Sequence, residues 1–154
     1  MIQGSGPSAP KAMFIADGPI STDFETNVAL SGYSAKLLKE CCDETGLYFN
    51  EFYRTALVKE KLPQITDYKR LSPEVNNLLN QYGPILTNEV QALSPHLLIP
   101  LGELSFQYLT GLKGIRKFRG SVMLADAARG FEKPTKVMPI LGPYPYLYQE
   151  HNLK

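Results

Sequence analysis

Asp17 follows the apolar run Ala12-Met13-Phe14-Ile15-Ala16 and precedes Gly18-Pro19. A carboxylate at the end of a buried strand can serve as a base for a water held within about 3 Å. It can equally cap the turn at Gly18-Pro19 by accepting backbone amides, so the residue type leaves both roles open. The segment after Asp17 reads as a loop, and Asp23 and Glu25 lie in it and could stand in for Asp17. A second constellation is cationic: Lys113, Arg116, Lys117 and Arg119 fall within seven positions, among Gly111, Gly114 and Gly120. Glycines let such a segment approach a phosphate backbone closely, and a solvated basic hairpin is the alternative. Lys59, Lys61, Lys69 and Arg70 form a weaker basic group, diluted by Glu60 and Asp67. The third is aromatic, in Gly142-Pro143-Tyr144-Pro145-Tyr146-Leu147-Tyr148. Such tyrosines can stack on bases, wedge between them, anchor a protein partner or pack a tail onto its own domain.

Metal and thiol chemistry find less support. Cys41 and Cys42 are adjacent, which rules out a Cys-x-x-Cys chelate, and packing in the core is the expected use of both. His96 and His151 have no ligand or nucleophile beside them in the sequence. No metal and no cofactor are expected.

These residues need a scaffold, and the periodicity outlines one. Residues 12–16 read as a buried strand, 32–45 as a helix stopped by Gly46, and Phe52 to Val58 as a second strand. Ser72-Pro73 is an N-cap followed by proline at the first helical position, and the helix it opens should break at Gly83-Pro84 and resume to about Ala92. Leu97 to Leu101 is a strand closed by Gly102, then a short helix runs to Gly111, and Phe118 to Leu124 and Lys136 to Leu141 are further strand candidates. Such alternation predicts an α/β fold, a three-layer sandwich around a mainly parallel, four-stranded central sheet, with its ligand at the carboxyl ends of the strands.

With 154 residues, 44% hydrophobic and 20% charged, the chain should form one domain spanning 1–154, neither disordered nor coiled coil. A net charge of +1 supplies no global field, so any polyanion contact must come from a local patch. The apolar runs are too short to span a bilayer and Met1 to Gly6 lacks signal-peptide character, so no membrane contact and an intracellular, cytoplasmic setting are expected.

At the strand ends the sequence resembles the uracil-DNA glycosylase superfamily, in particular its iron-sulfur type, family 4. The resemblance is carried by Gly4-Ser5-Gly6-Pro7, Lys11-Ala12-Met13-Phe14, Asp17-Gly18-Pro19 and Gly32-Tyr33-Ser34-Ala35-Lys36-Leu37-Leu38, followed by Tyr53-Arg54-Thr55-Ala56-Leu57-Val58-Lys59, Leu97 to Gly102, and Val137-Met138-Pro139 with Gly142-Pro143. It implies a base pocket at Gly18, Pro19, Leu30, Ala56 and Gly142, with Asp17 as the catalytic carboxylate. It also implies a DNA-contacting face at Lys113, Arg116, Lys117, Arg119, Pro143, Tyr144 and Tyr146. The departures fall on the chemistry. Ala56 stands where the family reads the base with asparagine, Leu30 where it stacks with phenylalanine, and Gly142 where it places histidine; Glu60 and Tyr82 occupy two cluster-cysteine positions, so no iron-sulfur cluster is expected. The resemblance therefore implies a degenerate glycosylase-like domain that binds DNA, or a replication protein or polymerase, as an accessory of replication or repair. Similar domains are attached to polymerases of some large phages. The alternative is an active glycosylase with an altered site that uses Asp17 as base. A purely protein-binding role is a third reading.

Overall fold

The structure, a computed structural model, describes residues 1–140. Its centre is a five-stranded sheet in the order β2-β1-β3-β5-β4, built from β1 (Ala12–Ala16), β2 (Phe52–Ala56), β3 (Leu97–Pro100), β4 (Met123–Leu124) and β5 (Lys136–Val137). The four strands β2, β1, β3 and β5 are parallel, as the alternation predicted, and β4 adds a fifth, antiparallel strand at the edge. All five residues of β1 are buried, because a parallel strand covered on both faces must be apolar throughout. Its side chains alternate between two cores. Met13 and Ile15 face α3 (Pro73–Leu93) and α4 (Glu103–Thr110), with Leu98, Leu86 and Leu104. Ala12, Phe14 and Ala16 face α2 (Tyr33–Thr45), with Leu38, Cys42, Ile99 and Leu101. Helix, sheet and helix pair make the three layers.

Strand order sets where a ligand can enter. The chain leaves β1 toward β2 on one side and crosses back over β1 to β3 on the other. Connections diverge at the carboxyl ends of β1 and β3, which opens a crevice there, and Asp17 and Gly102 are the residues at its lip. Residues 2–5 run beside β2, with Ser5 and Arg54 exchanging both backbone hydrogen bonds and Ile2 donating to the Lys59 carbonyl. The edge strand is thereby partly covered.

Helix signals held where they were local. Gly46 ends α2 in the left-handed conformation at φ 76°, and the Ser72 hydroxyl accepts from Val75 N at the start of α3. Only Cys42 of the cysteine pair is buried, while Cys41 is exposed. Three expectations need correction. First, α3 runs unbroken through Gly83-Pro84. Its apolar face, Val75, Leu78, Tyr82, Leu86 and Val90, is buried along the sheet, and this packing outweighs the hydrogen bond that proline removes. Second, Phe118 does not start a strand but ends α5 (Ile115–Phe118), because Glu103 accepts from the Gly114 and Ile115 amides and Phe118 packs on Phe106 at 5.6 Å between ring centroids. Third, residues 21–26 form α1 (Ser21–Thr26) within the segment read as a loop, started by the Ile20 amide donating to Asp23.

Pro84 is exposed within α3, so no packing is lost when it is replaced. Pro84→Ala is expected to stabilise the protein by about 1–3 kcal/mol, less than the full helix-interior penalty of proline because the unfolded chain gains freedom; urea unfolding of both proteins measures it.

Candidate functional site

The α4 helix begins at Gly102, whose lack of a side chain leaves it without a cap of its own. Asp17 supplies one from the end of β1: one carboxyl oxygen accepts from Ser105 N at 2.7 Å and the other from Leu104 N at 3.2 Å. Asp17 does accept backbone amides, then, but those of a distant helix rather than of Gly18-Pro19. The arrangement requires glycine at 102, since a Cβ there would lie on the Asp17 carboxyl. The Asp17 carbonyl meanwhile accepts from Val58 N, so this residue joins the ends of β1, β2 and β3. Burial pushes its carboxyl above the ordinary value of 3.8, against the hydrogen bonds from Ser105 and Leu104, and the charge of Glu103 adds to the rise.

Asp17 opens into a pocket of about 240 Å³ whose walls are mainly apolar: Pro19, Ile20 and Leu62 beside Ala16 and Leu101, with Gly18 and Gly102 giving backbone surface. Of the positions expected to form a base pocket, Gly18 and Pro19 line this space. Leu30 and Ala56 are instead 0% and 1% exposed, packed in the core on the α2 side. Leu30 is held there at φ 53° by its amide on Asp23 and by Arg54 donating to its carbonyl. Gly142, Pro143, Tyr144 and Tyr146, with Tyr148 and His151, lie outside the described residues. Asp23 does not substitute for Asp17: it is fully buried and accepts from the Ile20, Leu30 and Ser31 amides and the Ser31 hydroxyl. Glu25 is exposed on α1.

The pocket walls Ile20 and Leu62 fall in the strand-end segments 17–27 and 59–71 to which strand alternation points, but nothing in the sequence singles out either one, or Tyr68. The Tyr68 phenol is pushed up by burial and by the charges of Asp17 and Glu103, and its ring packs against the core on the α3 side of the sheet. An apolar residue or a tyrosine in a loop carries no local signal for such a role. Gly102 was legible as the glycine ending an apolar run.

The two basic groups, separate in sequence, meet in the fold. Lys113 Nζ donates to the Lys69 carbonyl at 3.0 Å, and Gln107 of α4 donates to the Tyr68 carbonyl. Glu103, the first residue of α4, holds Gly114 and Ile115 at 2.7 and 2.8 Å. Lys61, Lys69, Arg70, Lys113, Arg116, Lys117 and Arg119 are all exposed. Lys61, Lys69 and Arg70 belong to the segment that also supplies the pocket wall Leu62, and the Lys113–Lys69 contact joins that segment to the other basic group. Lys59 is not among these exposed cations. It is 5% exposed and donates to Glu89, Thr55 and the Ala56 carbonyl, because a buried ammonium must be paired.

The residues at the cluster positions do not suit an iron-sulfur group, which needs thiolates. Tyr82 donates to Glu60 instead, and Cys42 is packed on the α2 side of the sheet, away from both. Among the described residues no group of three or more His, Cys, Asp or Glu side chains could hold a metal ion, and no helix is long and apolar enough to cross a membrane.

The family model described as "Uracil DNA glycosylase superfamily" matches residues 3–154. A "Type-4 uracil-DNA glycosylase" of Saccharolobus solfataricus (strain ATCC 35092 / DSM 1617 / JCM 11322 / P2) is 30% identical over 125 residues, 77% of this chain and 55% of its own length. A "DNA polymerase" of Bacillus phage SP01 is 26% identical over 132 residues, 84% of this chain and 14% of its own. The chain thus spans about half of the first relative and a small part of the second.

The raised Asp17 carboxyl gives a pH test. A group whose folded pKa lies above its unfolded value adds stability below the unfolded value and loses it as pH rises through the folded one. The unfolding free energy of the wild type relative to Asp17→Asn is therefore expected to fall as pH rises from below 3.8 through the raised value, measured by urea unfolding from pH 3 to 7.

Proposed function

Because the chain belongs to the uracil-DNA glycosylase superfamily, we propose that it is a DNA-binding accessory module of replication or repair that keeps the DNA-facing side of the fold and has lost base excision. The observation that carries this reading is the junction of Lys113 with Lys69, which brings into contact two exposed basic segments, one of which also supplies the pocket wall Leu62. A chain of net charge +1 must attract a polyanion locally, and seven exposed cations on two joined segments supply that attraction. Loss of excision is supported by what surrounds the pocket. Excision requires the extruded base to be held by its edge and the leaving anion to be stabilised. Ala56 has no group to read an edge, and both it and Leu30 are packed in the core. A phage DNA polymerase among the relatives supports a replication setting, and the archaeal glycosylase supports one in repair.

A second reading, an active glycosylase with an altered site, is favoured by one observation. Asp17 combines a raised carboxyl with an opening into a pocket, the combination expected of a group poised to handle a proton. Against it stands the missing electrostatic partner, whose removal alone commonly lowers a rate by about 100- to 1,000-fold.

Two measurements on the same samples decide between them. Affinity for single-stranded and duplex oligonucleotides is expected to fall as a power of salt concentration, and Arg116→Ala with Lys117→Ala should reduce the slope by about 0.7 to 0.9 per lost phosphate contact. Single-turnover assays on uracil-containing strands should show no cleavage. Cleavage that Asp17→Asn abolishes would establish the second reading, and absence of DNA binding would overturn the first.

A further inference from the structure

The pocket wall Leu62 and the cations Lys61, Lys69 and Arg70 belong to the segment from residue 57 to 72, which contains no helix or strand. A loop of this length stays in place only through ties to its surroundings. Two such ties sit at its start, and both reach α3. Lys59 Nζ meets Glu89 at 3.0 Å, and the Tyr82 hydroxyl donates to Glu60 Oε2 at 2.5 Å. The Tyr82 ring is 4% exposed, locked among Val75, Leu78 and Leu86 of the core, so its hydroxyl is presented from a rigid base. Glu60, by contrast, is on the exposed side of the loop. A hydrogen bond to an ionised carboxylate at this distance is of the strong, charge-assisted kind.

We infer that Glu60 and Tyr82 are a positioning pair, a carboxylate–phenol clasp that holds the pocket-wall and basic loop against α3. The donor chemistry at these two positions does not suit a thiolate-bound cluster, and the two residues bond each other instead. Glu60 ties the start of the loop to α3, two residues before the pocket wall Leu62 and one before the exposed Lys61. Lys59 and Glu60 point to different partners on the same helix, Glu89 and Tyr82, so side chains of the loop start reach α3 at two points, beside the backbone bonds of Val58 and Lys59. The consequence for DNA rests on the function proposed above; the clasp itself does not.

Hydrogen exchange of the full 154-residue chain tests the clasp without DNA. Tyr82→Phe keeps the ring and removes the donor, and Glu60→Ala removes the acceptor. Each is expected to speed exchange of the hydrogen-bonded amides that the loop start holds, Val58 on the Asp17 carbonyl and Ile2 on the Lys59 carbonyl, by about tenfold or more, the size of one charge-assisted hydrogen bond in a local opening equilibrium, with β1 and β3 unchanged. The double variant should open the loop no further than either single one, because both remove the same bond. Glu60→Gln, which keeps an acceptor oxygen at an exposed site, should recover part of the protection and preserves the test if Tyr82→Phe does not fold. Unchanged loop exchange in the single variants, additive effects in the double one, or stoichiometric iron and sulfide in anaerobically purified protein would overturn the inference. In the same samples, Tyr82→Phe should bind single-stranded oligonucleotide severalfold more weakly with an unchanged salt slope. If the wild type binds no DNA, the function proposed above falls, while the exchange result still decides the clasp.

Discussion

The hydrogen bonds from Leu104 and Ser105 to the Asp17 carboxyl join the carboxyl ends of the two central strands, and most of the crevice is arranged around them. They cap α4 from another strand, which sets the helix start against β1. Glu103, the first residue of that helix, then holds the start of α5 through Gly114 and Ile115. The basic segment is therefore oriented by a chain of capping contacts that begins at Asp17. The constraint is steric as well as polar. Only glycine at 102 leaves room for the carboxyl, and without that approach the first amides of α4 would face an apolar pocket unpaired.

That arrangement places one carboxylate in two roles that pull in opposite directions. As a cap it is best ionised, because the helix amides favour negative charge. As a half-enclosed group beside apolar walls it is pushed toward the neutral form, and burial is the larger effect. A purely structural cap would gain nothing from opening into a pocket. A residue that only lined a pocket would not need two amides. The geometry serves a fold in which the acid is both part of the frame and exposed to whatever enters the crevice.

Polar groups inside the second strand follow a related logic. Thr55 is fully buried, and with Lys59 it meets Glu89. Tyr53, on the same strand, has its phenol pushed up to about 12 by burial and by the charge and hydrogen bond of Glu89. One carboxylate of α3 thus gathers a lysine, a threonine and a tyrosine from the strand and its exit. Loss of one partner from such a set would leave a buried charge exposed to an apolar surrounding, which is costly. The sheet edge, the loop exit and α3 are consequently coupled, and the cations of the loop inherit their placement from that coupling.

Local rules in the sequence were enough for β1 and β3, whose unbroken apolar runs permit only buried strands, and for the ends of α2 and α4, where Gly46 and Gly111 adopt the left-handed conformation. They also put Asp17 at the carboxyl end of β1, because strand alternation alone dictates where the carboxyl ends lie. Tertiary structure decided the rest. Whether α3 breaks at Pro84 depended on how much apolar face the sheet could cover. Lys59 reads as a surface cation until Glu89 is brought to it from α3, and Leu62 and Tyr68 read as ordinary loop residues until the loop folds over the crevice. The physical reason is reach: caps, turns and periodicity act within one turn or one strand, whereas the partners of Asp17, Lys59 and Lys113 lie on elements that only the crossings of the chain bring together.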